Sequence, residues 1–296
     1  MPFVTTRDGV RLYYESAGRG TPLVFVHEFT ADLRSWEPQM RRFARRYRCI
    51  AFNARGYPPS DVPRARAAYS QAIVADDIAD LLRALGLRRA HLVGSAMGGN
   101  TVLQFGMRSP RLALSLTAIN PGVGADPAPR KRAQFLRDVE AMSRRFETLG
   151  MPAAVRDHRV GPSRVQFQNK DPRGFAEFGS RYAALSGLGL ANTMRGVHAR
   201  RPPVHVMARG LHRLRTPLLV VIGDEDDKCL EPGVFIKRAC RSAGLAVIPW
   251  SGHLVNLEEP DAFNALLLEF LAQVDAGRWR PRDPRSLGLS VLSNKG

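Results

Sequence analysis

The 296-residue chain, 32.7 kDa with 44 % hydrophobic and 24 % charged residues, is long enough for one large domain or a domain with an inserted lid, and its composition excludes a disulfide-stapled miniprotein and wholesale disorder. Only five of its 44 basic residues are lysine, and the net charge of +17 is scattered in pairs such as Arg41-Arg42, Arg88-Arg89 and Arg200-Arg201, a distribution that argues against a nucleic-acid-binding face. Cys49, Cys229 and Cys240 are odd in number and lack metal-ligand spacing, which argues for a reducing compartment and against structural zinc.

The amino terminus has no basic segment followed by a long apolar run, and nowhere do 18 apolar residues follow one another. A cytoplasmic protein with no membrane contact is the expectation. In chain order, Val10 to Glu15 alternates as a strand, and Pro22 to His27 is a continuous apolar run of the kind that fills central parallel strands. Trp36, Met40, Phe43 and Ala44 fall at helical spacing, Tyr47 to Asn53 is a strand, and Arg55-Gly56-Tyr57-Pro58-Pro59 is a turn. The pattern predicts a helix over Ser70 to Leu87, a strand over Ala90 to Gly94, a helix through Leu103 and Phe105, and a strand over Leu112 to Asn120. Arginine-rich amphipathic helices are expected from Lys131 to Leu149 and from Pro172 to Leu185. Strands then return at Thr216 to Gly223 and Ala246 to Ile248, followed by a helix over Pro260 to Val274. Such alternation predicts an α/β fold with a mainly parallel sheet covered on both faces. The core domain is expected over 1–121 and 213–277, a helical cap over 122–212, and a poorly ordered Pro/Arg-rich tail over 278–296.

The strongest local signal for chemistry is the strand leading into Gly94-Ser95-Ala96-Met97-Gly98-Gly99 and then a helix, the setting of a nucleophile elbow in which a sharp turn lifts one side chain above the sheet. The lifted position is Ala96, whose methyl group has no nucleophilic atom. On these residues the chain resembles the α/β-hydrolase superfamily, from about Val10 to Val274. The resemblance implies a triad acid at Asp226, three residues after Gly223, with Asp224 and Asp227 as competitors, and a catalytic histidine at His253 in Ser251-Gly252-His253. The order elbow, acid, histidine is the one this superfamily uses. It further implies an oxyanion hole from the backbone N–H groups of Phe29 and Met97, in a His27-Glu28-Phe29 loop where Glu28 stands in the usual place of glycine. Asn53-Ala54-Arg55-Gly56 resembles a motif that is structural in the superfamily. His27, Glu28, Ser95 and Trp36 are the candidate substrate contacts, with Phe29 also a candidate for pocket lining. The histidines at 91, 158, 198, 205 and 212 receive no task, and Arg130, Arg132, Arg137, Arg156 and Arg159 are read as solvated cap residues rather than partners of a substrate carboxylate.

The expected activity is hydrolysis of a small ester, lactone or amide, with alanine standing where such an enzyme carries its serine. Three alternatives stay open: an aspartate nucleophile replaced by alanine, as in dehalogenase and epoxide-hydrolase branches; a His/Asp dyad acting without a covalent intermediate, as a lyase or cofactor-free oxygenase; and a ligand-binding protein without catalysis. No metal and no organic cofactor is expected, the partner is a small-molecule substrate, and oligomeric state leaves no signature in the sequence.

Overall fold

The computed structural model describes residues 2–122 and 128–287. Eight strands, β1 (Phe3–Thr5), β2 (Arg11–Ala17), β3 (Pro22–Val26), β4 (Arg48–Phe52), β5 (Ala90–Ser95), β6 (Ala113–Ile119), β7 (Leu218–Gly223) and β8 (Ala243–Ile248), form one sheet in the order β1-β2-β4-β3-β5-β6-β7-β8. β2 pairs antiparallel with β1 and β4, and every pairing from β4 to β8 is parallel. The unbroken apolar runs become β3 and β7, and they, like the fully buried β5, are covered on both faces and so need no polar alternation.

Before β6 lie the helices α1 (Glu37–Phe43), α2 (Gln71–Ala84) and α3 (Met97–Arg108). Between β6 and β7 come α4 (Pro129–Thr148), α5 (Met151–His158), α6 (Val165–Lys170), α7 (Pro172–Ala183), α8 (Gly187–Thr193), a π-helical turn (Met194–His198) and α9 (Ala208–Arg213). After β7 follow α10 (Asp227–Ala239), α11 (Val255–Glu258) and α12 (Pro260–Asp275). One face of the sheet, through Val24, Ile50, Leu92 and Val220, packs against Ile78 and Leu82 of α2, Val102 and Phe105 of α3 and Ile236 of α10. The other, through Leu23, Phe25, Val93 and Val221, packs against Phe43 of α1 and Phe263, Leu267 and Phe270 of α12.

Four expectations are corrected. Trp36 is fully buried in this second layer, stacked on Phe25 with ring centroids 5.0 Å apart, so it is core rather than substrate pocket. Helix α10 interrupts a stretch read without a helix; Pro232 lies inside it and masks its periodicity. The segment Val204–Arg213 does not belong with the cap: Val204, Met207, Leu211 and Leu214 recur at helical spacing and pack into the same core as α3 and α10. The tail is anchored as far as Arg282: Trp279 packs edge-on against Phe270 at 4.7 Å, its Nε1 donates to the Ser242 carbonyl at 2.9 Å, and the Arg282 N–H donates to the Arg241 carbonyl at 2.7 Å; the expectation for 288–296 lies outside the described residues. Among the described residues no helix is long and apolar enough to cross a membrane.

Candidate active site

Strand order reverses at β3: the chain leaves β3 for β4 on one side and returns to β5 on the other. The loops at the carboxyl ends of β3 and β5 therefore part in opposite directions and leave a crevice, the general place for ligands in an open α/β sheet. The sequence puts its elbow and its His27-Glu28-Phe29 loop on these two strand ends.

At the first of these, β5 ends on Ser95 and α3 starts at Met97, so Ala96 alone makes the turn, at φ 49° and ψ −103°. A non-glycine residue in such a region costs on the order of 1–3 kcal/mol and persists only where its surroundings enforce it. Here the Ala96 N–H donates to the Ile119 carbonyl at 2.8 Å, and the Asn100 N–H donates to the Ala96 carbonyl at 3.0 Å. The glycines around it permit the close approach: a Cβ on Gly98 would stand 2.1 Å from the Val26 carbonyl oxygen, and one on Gly94 2.2 Å from that of Gly98. Ala96 is buried, and the neighbouring Ser95 hydroxyl is buried without a hydrogen-bond partner among the described residues.

The Met97 N–H opens α3 and has no intrahelical acceptor. Among the described residues neither it nor the Phe29 N–H donates to another protein group. The Phe29 loop is held from behind, where the Tyr57 hydroxyl donates to the Phe29 carbonyl at 2.9 Å. His27 is part of the same support. Its Nε2 accepts from the Ala54 N–H at 3.0 Å, which leaves Nδ1 to donate to the Glu28 carbonyl at 2.7 Å. With both ring nitrogens occupied, and burial holding its pKa below the usual histidine value, His27 is a loop brace rather than a substrate contact. Glu28 is buried, accepts from the Thr30 hydroxyl, and faces a cap arginine through that residue, since Arg164 Nη2 donates to Thr30 Oγ1 at 2.9 Å. Its backbone φ is not positive, so the loop forms without the usual glycine.

Asp226 follows β7 and His253 follows β8, and His253 Nδ1 donates to Asp226 Oδ2 at 2.6 Å. Burial alone would raise the Asp226 pKa, but this bond and the ring's charge outweigh it and hold the carboxyl below the usual range. Its competitors have other places: Asp224 Oδ1 accepts from the Ser251 N–H at 3.1 Å, and Asp227 is exposed at the start of α10. Two residues that sequence reasoning missed shape the histidine loop. Asn120, at φ 43° beyond β6, accepts from the Gly223 N–H at 3.0 Å and donates to the carbonyls of Gly252 and His253, each at 2.9 Å. Glu258 accepts from the N–H groups of Gly252 and Leu254.

The cap adds histidines that the sequence left without a task. His158 Nδ1 accepts from the Tyr182 hydroxyl at 2.8 Å, and the His198 ring, on the π-helical turn, packs edge-on against Phe29 at 4.9 Å. Burial first, and then nearby arginine charge, lowers their pKa values to about 4 for His158 and about 3 for His198. In the unfolded chain both take up protons near pH 6.5. The native state therefore binds fewer protons below that pH, and stability should fall as pH drops from 6.5 toward 4, by about 2 kcal/mol per ring at pH 5. Urea melts at pH 7 and pH 5 check this: His198→Phe should flatten the decline, and an unchanged slope would contradict it.

Asp226, Cys229 and His253 are the described residues grouped closely enough to hold a metal ion, their ligand atoms lying within 4.8 Å of one another. Burial pushes the Cys229 thiol pKa well up, and its Sγ donates to the Asn120 carbonyl at 3.4 Å, so the cluster offers a neutral thiol rather than a thiolate. A cleft of about 450 Å³ reaches Asp226 and His253 from the side of α10, lined also by Gly122, Phe135, Ser163 and Arg201.

The model of the family described as alpha/beta hydrolase fold matches residues 21–260. The chain is 27 % identical over 295 residues to epoxide hydrolase 4 of Mus musculus, covering 92 % of this chain and 79 % of that one. It superposes on a thermophilic esterase from Thermogutta terrifontis with a TM-score of 0.79 at 26 % identity, covering 92 % and 98 % of the two chains. On Est816, an N-acyl homoserine lactone degrading enzyme, the TM-score is 0.74 at 25 % identity, covering 91 % and 100 %. With the crevice, the parallel sheet and the family match in agreement, this chain belongs to the alpha/beta hydrolase fold family.

Proposed function

We propose that the crevice above β3 and β5 is an acyl-transfer site for a small carboxylic ester or lactone, in which position 96 seats the nucleophile and alanine leaves that seat without a reactive atom. The observation that carries this reading is the His253–Asp226 bond at 2.6 Å beside an elbow that keeps its positive φ of 49° although nothing on Ala96 reacts. Serine at that position would attack the substrate carbonyl, His253 Nε2 would take the hydroxyl proton, and Asp226 would hold Nδ1–H and stabilise the imidazolium. The Phe29 and Met97 N–H groups would receive the developing oxyanion. Collapse of the tetrahedral intermediate would break the ester C–O bond, the departing alcohol taking its proton from the His253 imidazolium; water, activated by the same histidine, would then attack the acyl-serine, release the acid and restore the serine hydroxyl. Relatives named as an esterase and as a lactone-degrading enzyme support the substrate class.

A second reading rests on the same intact pair: with no nucleophile in place, His253 acts as general base directly on water or on a substrate C–H. The experiment compares the chain with Ala96→Ser on 4-nitrophenyl acetate and on N-acyl homoserine lactones. An alcohol burst followed by turnover in the serine form, beside an inert alanine form, is the expected result. Turnover by the alanine form that His253→Gln abolishes would favour the second reading. A serine form that stays inert while Ala96→Asp opens styrene oxide would replace both with the epoxide chemistry named for the mouse relative.

A further inference from the structure

Arg201 is nine-tenths buried, and among the described residues its guanidinium forms no ion pair and no hydrogen bond, with Nε sealed from solvent and unpartnered. Burying an arginine without a carboxylate is costly, and a ligand carboxylate reaching it would offset that cost. The side chain lines the cleft that reaches His253 and Asp226. A Cβ placed on Gly122 would lie 3.9 Å from Arg201 Nη2 and 3.9 Å from Cys229 Sγ, which sets the guanidinium at the cleft wall beside the loop after β6. Of the acids lining the same cleft, Asp226 holds His253, while Asp227 and Glu231 are exposed, as is Lys228. By contrast, Arg130, Arg132, Arg137 and Arg156 are exposed on the cap.

We propose that Arg201 is the anchor of a carboxylate subsite, so that the preferred ligand is an ester or lactone carrying a free carboxylate some atoms away from its reacting carbonyl. The carboxylate pairs with the guanidinium in the buried end of the cleft, and the carbonyl end faces His253. For the reaction this rests on the acyl-transfer reading above; for binding it rests on Arg201 alone. Desolvation of Arg201 lowers its pKa to about 10, which still leaves it charged at neutral pH, and an anion removes the penalty on binding.

The chain as it stands permits the measurement, because Ala96 should leave the probe ester uncleaved. Monomethyl glutarate and dimethyl glutarate differ by one charge, and calorimetric titration at pH 7 should show the anionic ester binding about 10- to 100-fold more tightly. Arg201→Gln should abolish that preference while leaving the dimethyl ester within about twofold, and Arg201→Lys should retain part of it. Lys228→Ala, at the exposed mouth, should leave it intact. A thermal melt of Arg201→Met supplies a readout that a merely structural arginine would not give: removal of an unpaired buried charge should hold or raise Tm. Equal binding of the two esters, a preference that survives Arg201→Gln, or one lost in Lys228→Ala would overturn the subsite. If the preference holds while Ala96→Ser forms no acyl adduct, the subsite stands and the acyl-transfer reading falls; the opposite pair of results removes only the subsite.

Discussion

Ala96→Ser should raise hydrolysis of an activated ester at least about 10³-fold over the chain as it stands, and His253→Ala in that background should return nearly all of the gain. The size follows from what is already in place. The elbow holds its strained turn, the Phe29 and Met97 N–H groups are without protein acceptors among the described residues, and the His253 ring is oriented by Asp226 at 2.6 Å. On the proposed reading, a hydroxyl at position 96 adds the missing reactive atom. Asp226→Asn, which disturbs the tautomer while preserving shape, should remove most of the gain in the serine background. Steady-state rates of the four proteins separate a working triad from a histidine that lies near the elbow by coincidence, since coincidence predicts no loss on changing Asp226.

Gly98→Ala should cost more than about 4 kcal/mol and leave little folded protein, one of the large effects reserved for backbone collisions and severe strain. The added methyl would lie 2.1 Å from the Val26 carbonyl oxygen and 2.8 Å from that of His27. Both are backbone atoms at the end of β3, so no flexible side chain can move aside. Because β3 carries the Phe29 loop, any shift that relieved the overlap would also displace the candidate oxyanion donors. Gly161→Ala is the control: its added Cβ meets nothing within 4 Å, and its urea midpoint should match the parent within about 0.5 kcal/mol. A Gly98→Ala protein as stable as that control would show that the elbow is not packed as described.

The central strands were readable because a parallel strand covered on both faces must be apolar along its length, and the elbow because its glycines sit at fixed steps from the turn. What escaped reading depends on residues distant in sequence. Asn120 and His253 are 133 positions apart, yet one amide ties the histidine loop to β6 and β7. Arg201 read as half of one scattered arginine pair, and only the fold shows it buried with no carboxylate partner among the described residues. His158 and His198 carried no motif, since their burial is created by the cap closing over Phe29. Trp36 misled in the opposite direction: an aromatic shortly after a strand end looked like pocket lining, whereas the layer under α1 and α12 absorbs it. The signal for Val204–Arg213 was available, in apolar residues three and four apart, but its position between cap helices concealed which core it serves.

The most direct measurement is the intact mass of Ala96→Ser quenched during its first turnover on 4-nitrophenyl acetate, compared with the parent chain treated alike. An added acetyl group on the serine form, traced to residue 96 and absent from the parent, is the result predicted for a nucleophile seat served by His253 and Asp226. An unmodified serine form under conditions where its fold and its His253–Asp226 pair are intact would contradict the account.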